Sequence, residues 1–261
     1  MHALDYNRLK EALAIAASVV GTTEPNPRVG CIIGLQDGTV LGTGATQQAG
    51  GPLAEVMALR AAAAAGYSVK GATAWVTLEP CAHHGRTPPC CDALAAAKIS
   101  RVVAALQDPF PAVAGQGLAR LRGAGMDVLL LSAPAGTVDQ QGEIADAAWA
   151  LNLGFFSRVQ RGRPWVRVKV AQSLDGVTAL TNGVSQWITS EAARADGHSW
   201  RRRAGAVLTG VGTVLADNPR LDARQASNQL PYDQQPLRVV ADSRLARRLL
   251  PACWHHPARC C

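Results

Sequence analysis

The sequence predicts two α/β domains in tandem, the first of them a three-layer domain on a mixed sheet. Three observations predict this. The chain has 261 residues, and single domains typically run to about 100–200 residues. The first half reads as a strand hairpin followed by alternating helices and strands, the pattern of an α/β sandwich. The run Gly162-Arg163-Pro164 breaks a long helical stretch, and α/β patterning resumes beyond it. The expected domains are residues 1–150 and 164–261.

The elements follow from local pattern. Residues 4–20 carry Leu9, Leu13, Ala16 and Val20 at helical spacing, with Asp5 as the expected N-cap. Pro25-Asn26-Pro27 ends that helix. Residues 29–35 and 39–46 flank Asp37-Gly38 and predict a β-hairpin. Residues 53–65, rich in Ala, Leu and Met and followed by Gly66, predict a helix. Strands are expected over 72–78, 101–106 and 128–131, with short helices over 91–98 and 117–124. A single long helix is expected over 138–160. In the second domain the pattern predicts strands over 166–171, 206–209 and 237–241, and a helix over 190–203.

Composition narrows the function classes. A hydrophobic content of 48% with 17% charged residues is ordinary for a globular protein. No apolar run approaches membrane-spanning length, so no membrane partner is expected. The N-terminus has no apolar h-region and does not read as a signal peptide, which makes a cytoplasmic location the default. The net charge of +7 is uneven: residues 158–261 hold 16 Lys/Arg against 7 Asp/Glu, and the rest hold 10 against 12. Such a basic half suits a phosphorylated metabolite or a dinucleotide, although a generally Arg-rich surface would look the same. Aromatics are not interleaved with the basic residues, so a nucleic-acid partner is not expected. The seven cysteines are odd in number and clustered. That argues for metal or thiol chemistry rather than a disulfide framework.

One constellation carries chemistry. Zinc deaminases use an H-x-E segment, then Pro-Cys, then a second cysteine; the glutamate shuttles protons while the other residues hold the metal. Here Leu53-Ala54-Glu55 opens a predicted helix, Pro80-Cys81 follows a predicted buried strand, and Pro89-Cys90 opens the next helix. Thiolates at helix N-termini are stabilised by the dipole and by a metal. Glu55 lies two residues beyond the expected ligand position, within reach of a metal-bound water. Taken singly, each piece is weak: a glutamate on a helix is usually solvated, and prolyl-cysteines are often ordinary buried thiols.

The order and spacing of these pieces resemble one family, the bifunctional diaminohydroxyphosphoribosylaminopyrimidine deaminase/5-amino-6-(5-phosphoribosylamino)uracil reductases of riboflavin biosynthesis. The resembling segments begin with Pro25-Asn26-Pro27-Arg28-Val29-Gly30 and Gly50-Gly51-Pro52-Leu53-Ala54-Glu55-Val56. The most specific segment is Glu79-Pro80-Cys81-Ala82-His83-His84-Gly85-Arg86-Thr87-Pro88-Pro89-Cys90, in which eight residues separate the cysteines. The resemblance continues through Lys169-Val170-Ala171-Gln172-Ser173-Leu174-Asp175-Gly176, Ser185-Gln186-Trp187 and Gly212-Thr213-Val214-Leu215-Ala216-Asp217, to about Ser243.

It implies a cytidine-deaminase-like domain followed by part of a dihydrofolate-reductase-like domain. It also implies hydrolytic deamination of a phosphoribosylated pyrimidine, then NADPH-dependent reduction of its ribosyl group to ribityl, with Zn2+ and NADPH as cofactors. Glu55 is the implied catalytic residue, and Cys81 and Cys90 the implied metal ligands. Asn26, His83, Arg86, Thr87, Ser185, Arg201, Leu221 and Arg224 match substrate-binding positions. Ala171, Trp187, Thr213, Asp217 and Ser243 match NADPH-binding ones. Arginines suit the phosphates because the guanidinium offers a fixed fork of donors. A homo-oligomer is a further possibility the family leaves open.

Two departures qualify the expectation. The family has histidine at position 53 as third zinc ligand, and Leu53 has no lone pair. Position 46, also usually histidine, is Thr46. Weak zinc binding and a reduced deaminase are therefore expected, with His83 and His84 serving substrate or loop packing rather than substituting as ligands. The reductase of the family also continues beyond the point where this chain stops, which predicts an incomplete cofactor cleft. The Cys/His-rich run 249–261 matches no justifiable zinc spacing. The rival readings are a non-catalytic relative that binds ligand or a partner subunit, and a nucleic-acid base deaminase. The long loop between Cys81 and Cys90 argues against the second.

Overall fold

The computed structural model describes residues 2–83, 88–110, 114–131, 139–225, 228–229 and 234–243. Contacts divide the chain into two units, Met1–Trp165 and Val166–Cys261.

In the first unit the elements run α1 (Ala3–Ser18), β1 (Gly30–Gly34), β2 (Val40–Ala45), α2 (Ala54–Ala64), β3 (Thr73–Val76), α3 (Cys90–Ala96), β4 (Arg101–Ala104), α4 (Gln116–Gly123), β5 (Asp127–Leu130), α5 (Gln140–Leu151) and α6 (Leu153–Arg161). The five strands form one sheet in the order β2-β1-β3-β4-β5. Strand β1 runs antiparallel to β2 and β3, whereas β3, β4 and β5 are parallel. The sheet is therefore mixed, as expected.

Alternation along the strands separates two cores. Cys31, Ile33, Val76 and Val102 face α2, α3 and α4, packing with Ala58, Leu94 and Leu121. Ile32, Trp75 and Val103 face the other way, against Leu9 and Leu13 of α1 and Ile144 of α5. Helices thus cover both faces, which explains why β3 and β4 are apolar on both sides beyond their first residues, Thr73 and Arg101. The result is the predicted three-layer domain.

Helix α2 lies unusually close to β2. A Cβ at Gly42 would meet the Ala58 carbonyl oxygen at 2.3 Å, and one at Gly44 would meet the Ala54 carbonyl oxygen at 2.3 Å. Only glycine permits that approach, and it fixes the helix that carries Glu55.

The structure corrects two expectations here. Asp5 is not the N-cap of α1; that position is His2. Asp5 is instead buried within the helix, accepting bonds from Trp75 Nε1 at 2.8 Å and Arg101 Nη1 at 2.7 Å. The expected long helix is two helices broken at Asn152. Its Oδ1 accepts the Arg28 amide at 2.7 Å, and its Nδ2 donates to the Arg28 carbonyl at 3.0 Å. That pair of bonds ties the break to the chain entering β1. Residue 138, in the same expectation, lies outside the described residues.

The second unit contains α7 (Glu191–Arg202), β6 (Ala206–Gly210), α8 (Val211–Asp217), β7 (Arg224–Gln225), β8 (Asn228–Gln229) and β9 (Leu237–Ala241). Strands β6 and β9 pair in parallel, and β7 and β8 pair antiparallel. Ser190 caps α7, its Oγ accepting the Ala193 amide at 3.3 Å. Helix α8 escaped sequence reading because it is seven residues long, with no side-chain cap. The strand expected over 166–171 is not one among the described residues, and Val166, Val168 and Val170 stand exposed. β-Branched residues favour a pleated, half-buried surface, but a strand also needs a ladder partner. No helix among the described residues is long and apolar enough to cross a membrane.

Candidate functional site

Three segments of the first unit converge. Helix α2 opens with Leu53 at its N-cap, and Glu55 in its first turn is buried. Cys81 follows β3, after a fully buried run from 72 to 80. Cys90 is the first residue of α3, with Pro89 as N-cap. The Cys90 amide donates to Cys81 Sγ at 3.3 Å, and the Cys91 amide donates to the Cys81 carbonyl at 3.2 Å. The Cys90 thiol is within hydrogen-bonding reach of both the Cys81 sulfur and the Glu55 carboxyl.

Titration directions follow from this packing. The Cys90 thiol beside it draws the Cys81 pKa below the ordinary thiol value, against the opposing effect of burial. Cys90 is pushed far up, first by its bond to Cys81 and then by burial. Burial raises Glu55 above the usual carboxylate value, partly offset by hydrogen bonds. A carboxyl tuned upward in this way is suited to taking up and returning a proton.

The donors do not fit a three-ligand catalytic zinc. Two sulfurs are in place, but Leu53 stands where the third ligand is expected and offers only hydrocarbon. Among the described residues no group of three or more His, Cys, Asp or Glu is placed to hold a metal ion. His83 is exposed, its ring 5.9 Å from that of Phe110. Thr46 is buried, and its Oγ accepts the Val29 amide at 3.2 Å, a packing role. His84, Arg86, Thr87 and the 249–261 run lie outside the described residues. Asn26 is half-buried in a turn closed by its amide donating to the Thr23 carbonyl at 2.9 Å.

Sequence reading missed Glu79. Two residues before Cys81, its buried carboxylate accepts four backbone amides: Asp108 at 3.1 Å, Gly115 at 2.9 Å, Gly117 at 2.9 Å and Leu118 at 3.2 Å. Charge-assisted bonds of this kind are strong. They clamp the start of α4 against the strand end that delivers Cys81. The same four bonds explain why the segment holds a glutamate just before Pro80-Cys81, but backbone donors leave no signature in a sequence.

In the second unit the structure brings Arg201 and Arg224 together around two residues not singled out beforehand, His198 and Asp222. Arg201 Nη1 donates to the Asp222 carbonyl at 3.2 Å, and the Arg224 amide lies 3.2 Å from His198 Nδ1. Leu221 precedes Asp222 with φ +54°, a left-handed conformation costly for a branched residue. Ser185 is half-buried in the segment before α7.

Thr213 and Asp217 lie exposed on α8, which follows β6 directly, and Ser243 is exposed two residues beyond β9. Because β6 and β9 are parallel neighbours, Thr213 and Ser243 share the carboxyl edge of that pair. In α/β sheets that edge is where ligands bind. Trp187 is exposed, with the Arg194 guanidinium 4.3 Å above its ring. Ala171 is half-buried in the extended segment beyond residue 166.

Comparison with known proteins covers both units. Residues 4–106 match the family model of the cytidine and deoxycytidylate deaminase zinc-binding region, and residues 164–254 match that of the RibD C-terminal domain. The riboflavin biosynthesis protein RibD of Escherichia coli is 49% identical over 243 residues, 90% of this chain and 62% of that protein. RibD of Aquifex aeolicus is 43% identical over 242 residues, covering 93% of this chain and 63% of that protein. The chain therefore spans a little over three-fifths of the length of these relatives. Among solved structures, Acinetobacter baumannii RibD (form 2) superposes with a TM-score of 0.83 at 42% identity, covering 97% of this chain and 67% of the other. The diaminohydroxyphosphoribosylaminopyrimidine deaminase/5-amino-6-(5-phosphoribosylamino)uracil reductase of Thermotoga maritima gives 0.86 at 34% identity, covering 98% and 68%. With matches to both halves and identities above 40% across nine-tenths of its length, the chain belongs to the RibD family of riboflavin biosynthesis proteins.

Proposed function

We propose that this chain acts in riboflavin biosynthesis. Its first unit hydrolytically deaminates a phosphoribosylaminopyrimidine, and its second takes part in NADPH-dependent reduction of the ribosyl group. The observation that carries the reading is the convergence of Glu55, Cys81 and Cys90 from three separate segments. The family membership of both units favours an enzyme over a non-catalytic relative.

Glu55 is the proton carrier. Its carboxyl, raised by burial, takes a proton from the attacking water and returns it to the departing amine. Asn26, His83, Arg86 and Thr87 bind the substrate of the first unit. Ser185, Arg201, Leu221 and Arg224 bind that of the second, the arginines holding phosphate. Ala171, Trp187, Thr213, Asp217 and Ser243 contact NADPH. An exposed carboxyl edge in a basic unit fits an anionic dinucleotide.

A zinc ion held by Cys81, Cys90 and a third protein ligand would supply a more acidic attacking water. Here the set is one ligand short, so zinc binding is weak and deamination slow. Elemental analysis and ammonia release test this. The native chain should purify with little zinc, whereas Leu53→His should carry about one zinc per chain and release ammonia faster by on the order of 100-fold. Stoichiometric zinc in the native chain, with turnover that Leu53→His leaves unchanged, would falsify the reading.

A further inference from the structure

We infer that His198 and Asp222 are positioning residues that hold Arg201 and Arg224 as a clamp for a phosphate monoester dianion. This rests on the assignment of those two arginines to the substrate phosphate, and it adds two residues and a charge count to it.

The geometry begins on α7, where His198 and Arg201 are three residues apart and so share a face. Opposite them, the segment from Arg220 to Arg224 supplies the rest. The Asp222 carbonyl lies 3.1 Å from His198 Nδ1 and receives Arg201 Nη1 at 3.2 Å. Arg224 meets the same imidazole twice, its amide 3.2 Å from Nδ1 and its Nη2 3.4 Å from Nε2. With the proton on Nδ1, His198 donates to the Asp222 carbonyl and Nε2 accepts from the Arg224 guanidinium. With the proton on Nε2, Nδ1 accepts the Arg224 amide. Both arrangements need a neutral ring, since an imidazolium has no acceptor and would face two guanidinium groups. Burial, then Arg201 and Arg224, hold the His198 pKa below its ordinary value, in keeping with that requirement.

Asp222 supplies the counter-charge. Its carboxylate is fully buried, 3.5 Å from Arg224 Nε and 3.3 Å from Arg220 Nη2, and neither oxygen has a hydrogen-bond partner. Arg224 thus turns Nε toward Asp222 and Nη2 toward His198, which leaves its Nη1 donors for an anion. The backbone that delivers Asp222 is itself constrained. Asn218 at φ +43° is the ordinary left-handed C-cap of α8, but Leu221 at φ +54° holds a left-handed conformation that persists only where the surroundings over-determine it.

Charge decides between a clamp and a purely structural cluster. Among the described residues, the two guanidinium groups of the clamp, Arg201 and Arg224, meet a neutral imidazole and one carboxylate, which Arg220 shares. A cluster built only for stability would balance its charges, because uncompensated like charges repel. The surplus is positive, the sign that complements a phosphate monoester, which carries a charge of about −1.5 to −2 near neutral pH.

The test is calorimetric titration of the full chain with ribose 5-phosphate. His198→Ala and Asp222→Asn are each expected to weaken binding by about tenfold, the loss of an aligned charge-assisted contact. His198→Gln, whose amide oxygen can accept from Arg224, is expected to recover most of the His198→Ala loss. A merely structural role predicts no such recovery. The inference is overturned if native affinity survives in both His198→Ala and Asp222→Asn, or if His198→Gln binds as poorly as His198→Ala. If Asp222→Asn fails to fold, the two His198 variants decide the matter alone. Failure of the phosphate assignment looks different: the native chain then does not bind ribose 5-phosphate, or Arg201→Ala and Arg224→Ala bind it normally, and the inference falls with it.

Discussion

Glu79 and Asp108 are buried carboxylates in the same corner of the first unit, and their surroundings treat them differently. Glu79 receives four backbone amides, whereas Asp108 Oδ1 receives only the Phe110 amide at 2.8 Å. Burial, with a smaller contribution from the Glu79 charge, pushes the Asp108 pKa up to about 6. An unfolded aspartate titrates near 3.9, about two pH units lower, so the folded state binds a proton more tightly across that window. The stabilising contribution of the protonated form is complete below about pH 4 and is lost as pH rises through about 6, a total of roughly 2–3 kcal/mol. Asp108→Asn keeps the oxygen that accepts from Phe110 and removes the charge. It should raise the urea midpoint at pH 7.5 and leave it near native at pH 4. A gain of equal size at both pH values would sink the argument, because burial of charge would not be its source.

At the scale of elements, the glycines of β2 position α2, the helix that carries Glu55. A Cβ at Gly44 would stand 2.3 Å from the Ala54 carbonyl oxygen and 2.4 Å from the Ala58 nitrogen, distances backbone cannot tolerate. Gly44→Ala must therefore lift α2 from the sheet, and Leu53 and Glu55 move with it. Overpacking of this kind costs about 1–3 kcal/mol, sometimes more. Thermal unfolding should show that loss, and ammonia release should fall even where the protein remains folded. Unchanged stability would mean that the helix has room the structure does not give it. The hairpin, the helices and the strands of the first unit could all be read from the sequence, because each rests on local periodicity and turn residues. The break at Asn152 could not, because its cause is Arg28, 124 residues away. The thiols and Glu55 could be read because the deaminase signature lies at fixed local offsets. Glu79 and the His198–Asp222 pair could not: Glu79 bonds backbone amides 29 to 39 residues on, and His198 meets partners 24 and 26 residues on. The run 166–171 was misread because propensity says nothing about whether a ladder partner is present.

Across the whole molecule the two units differ in how much they bury. Both hydrophobic clusters belong to the first unit. Among the described residues of the second, only Val214, Leu221, Asp222, Ala223, Pro236 and Arg238 are buried, and two of those six are charged. Apolar burial is the dominant stabilising contribution, at about 25 cal/mol per Å², so the second unit should unfold first. Residues 161–170 are all exposed, and those beyond the end of α6 at Arg161 lie outside helix and strand. Brief trypsin treatment should cut at Arg161, Arg163, Arg167 or Lys169 and degrade the second unit faster, leaving a resistant fragment that keeps α1 to α5. Heating should give two transitions. The tryptophan signal of the first should come from exposed Trp187 and Trp200, and that of the second from buried Trp75. Ligand linkage then separates the units. A molecule that binds only the folded second unit stabilises it by RT ln(1 + [L]/Kd), about 2.7 kcal/mol at a hundredfold excess over Kd. Ribose 5-phosphate should therefore raise the lower transition, slow the tryptic loss of the second unit, and leave the Trp75 transition where it was. One cooperative transition that shifts as a whole with ligand would show instead that the units share their stability.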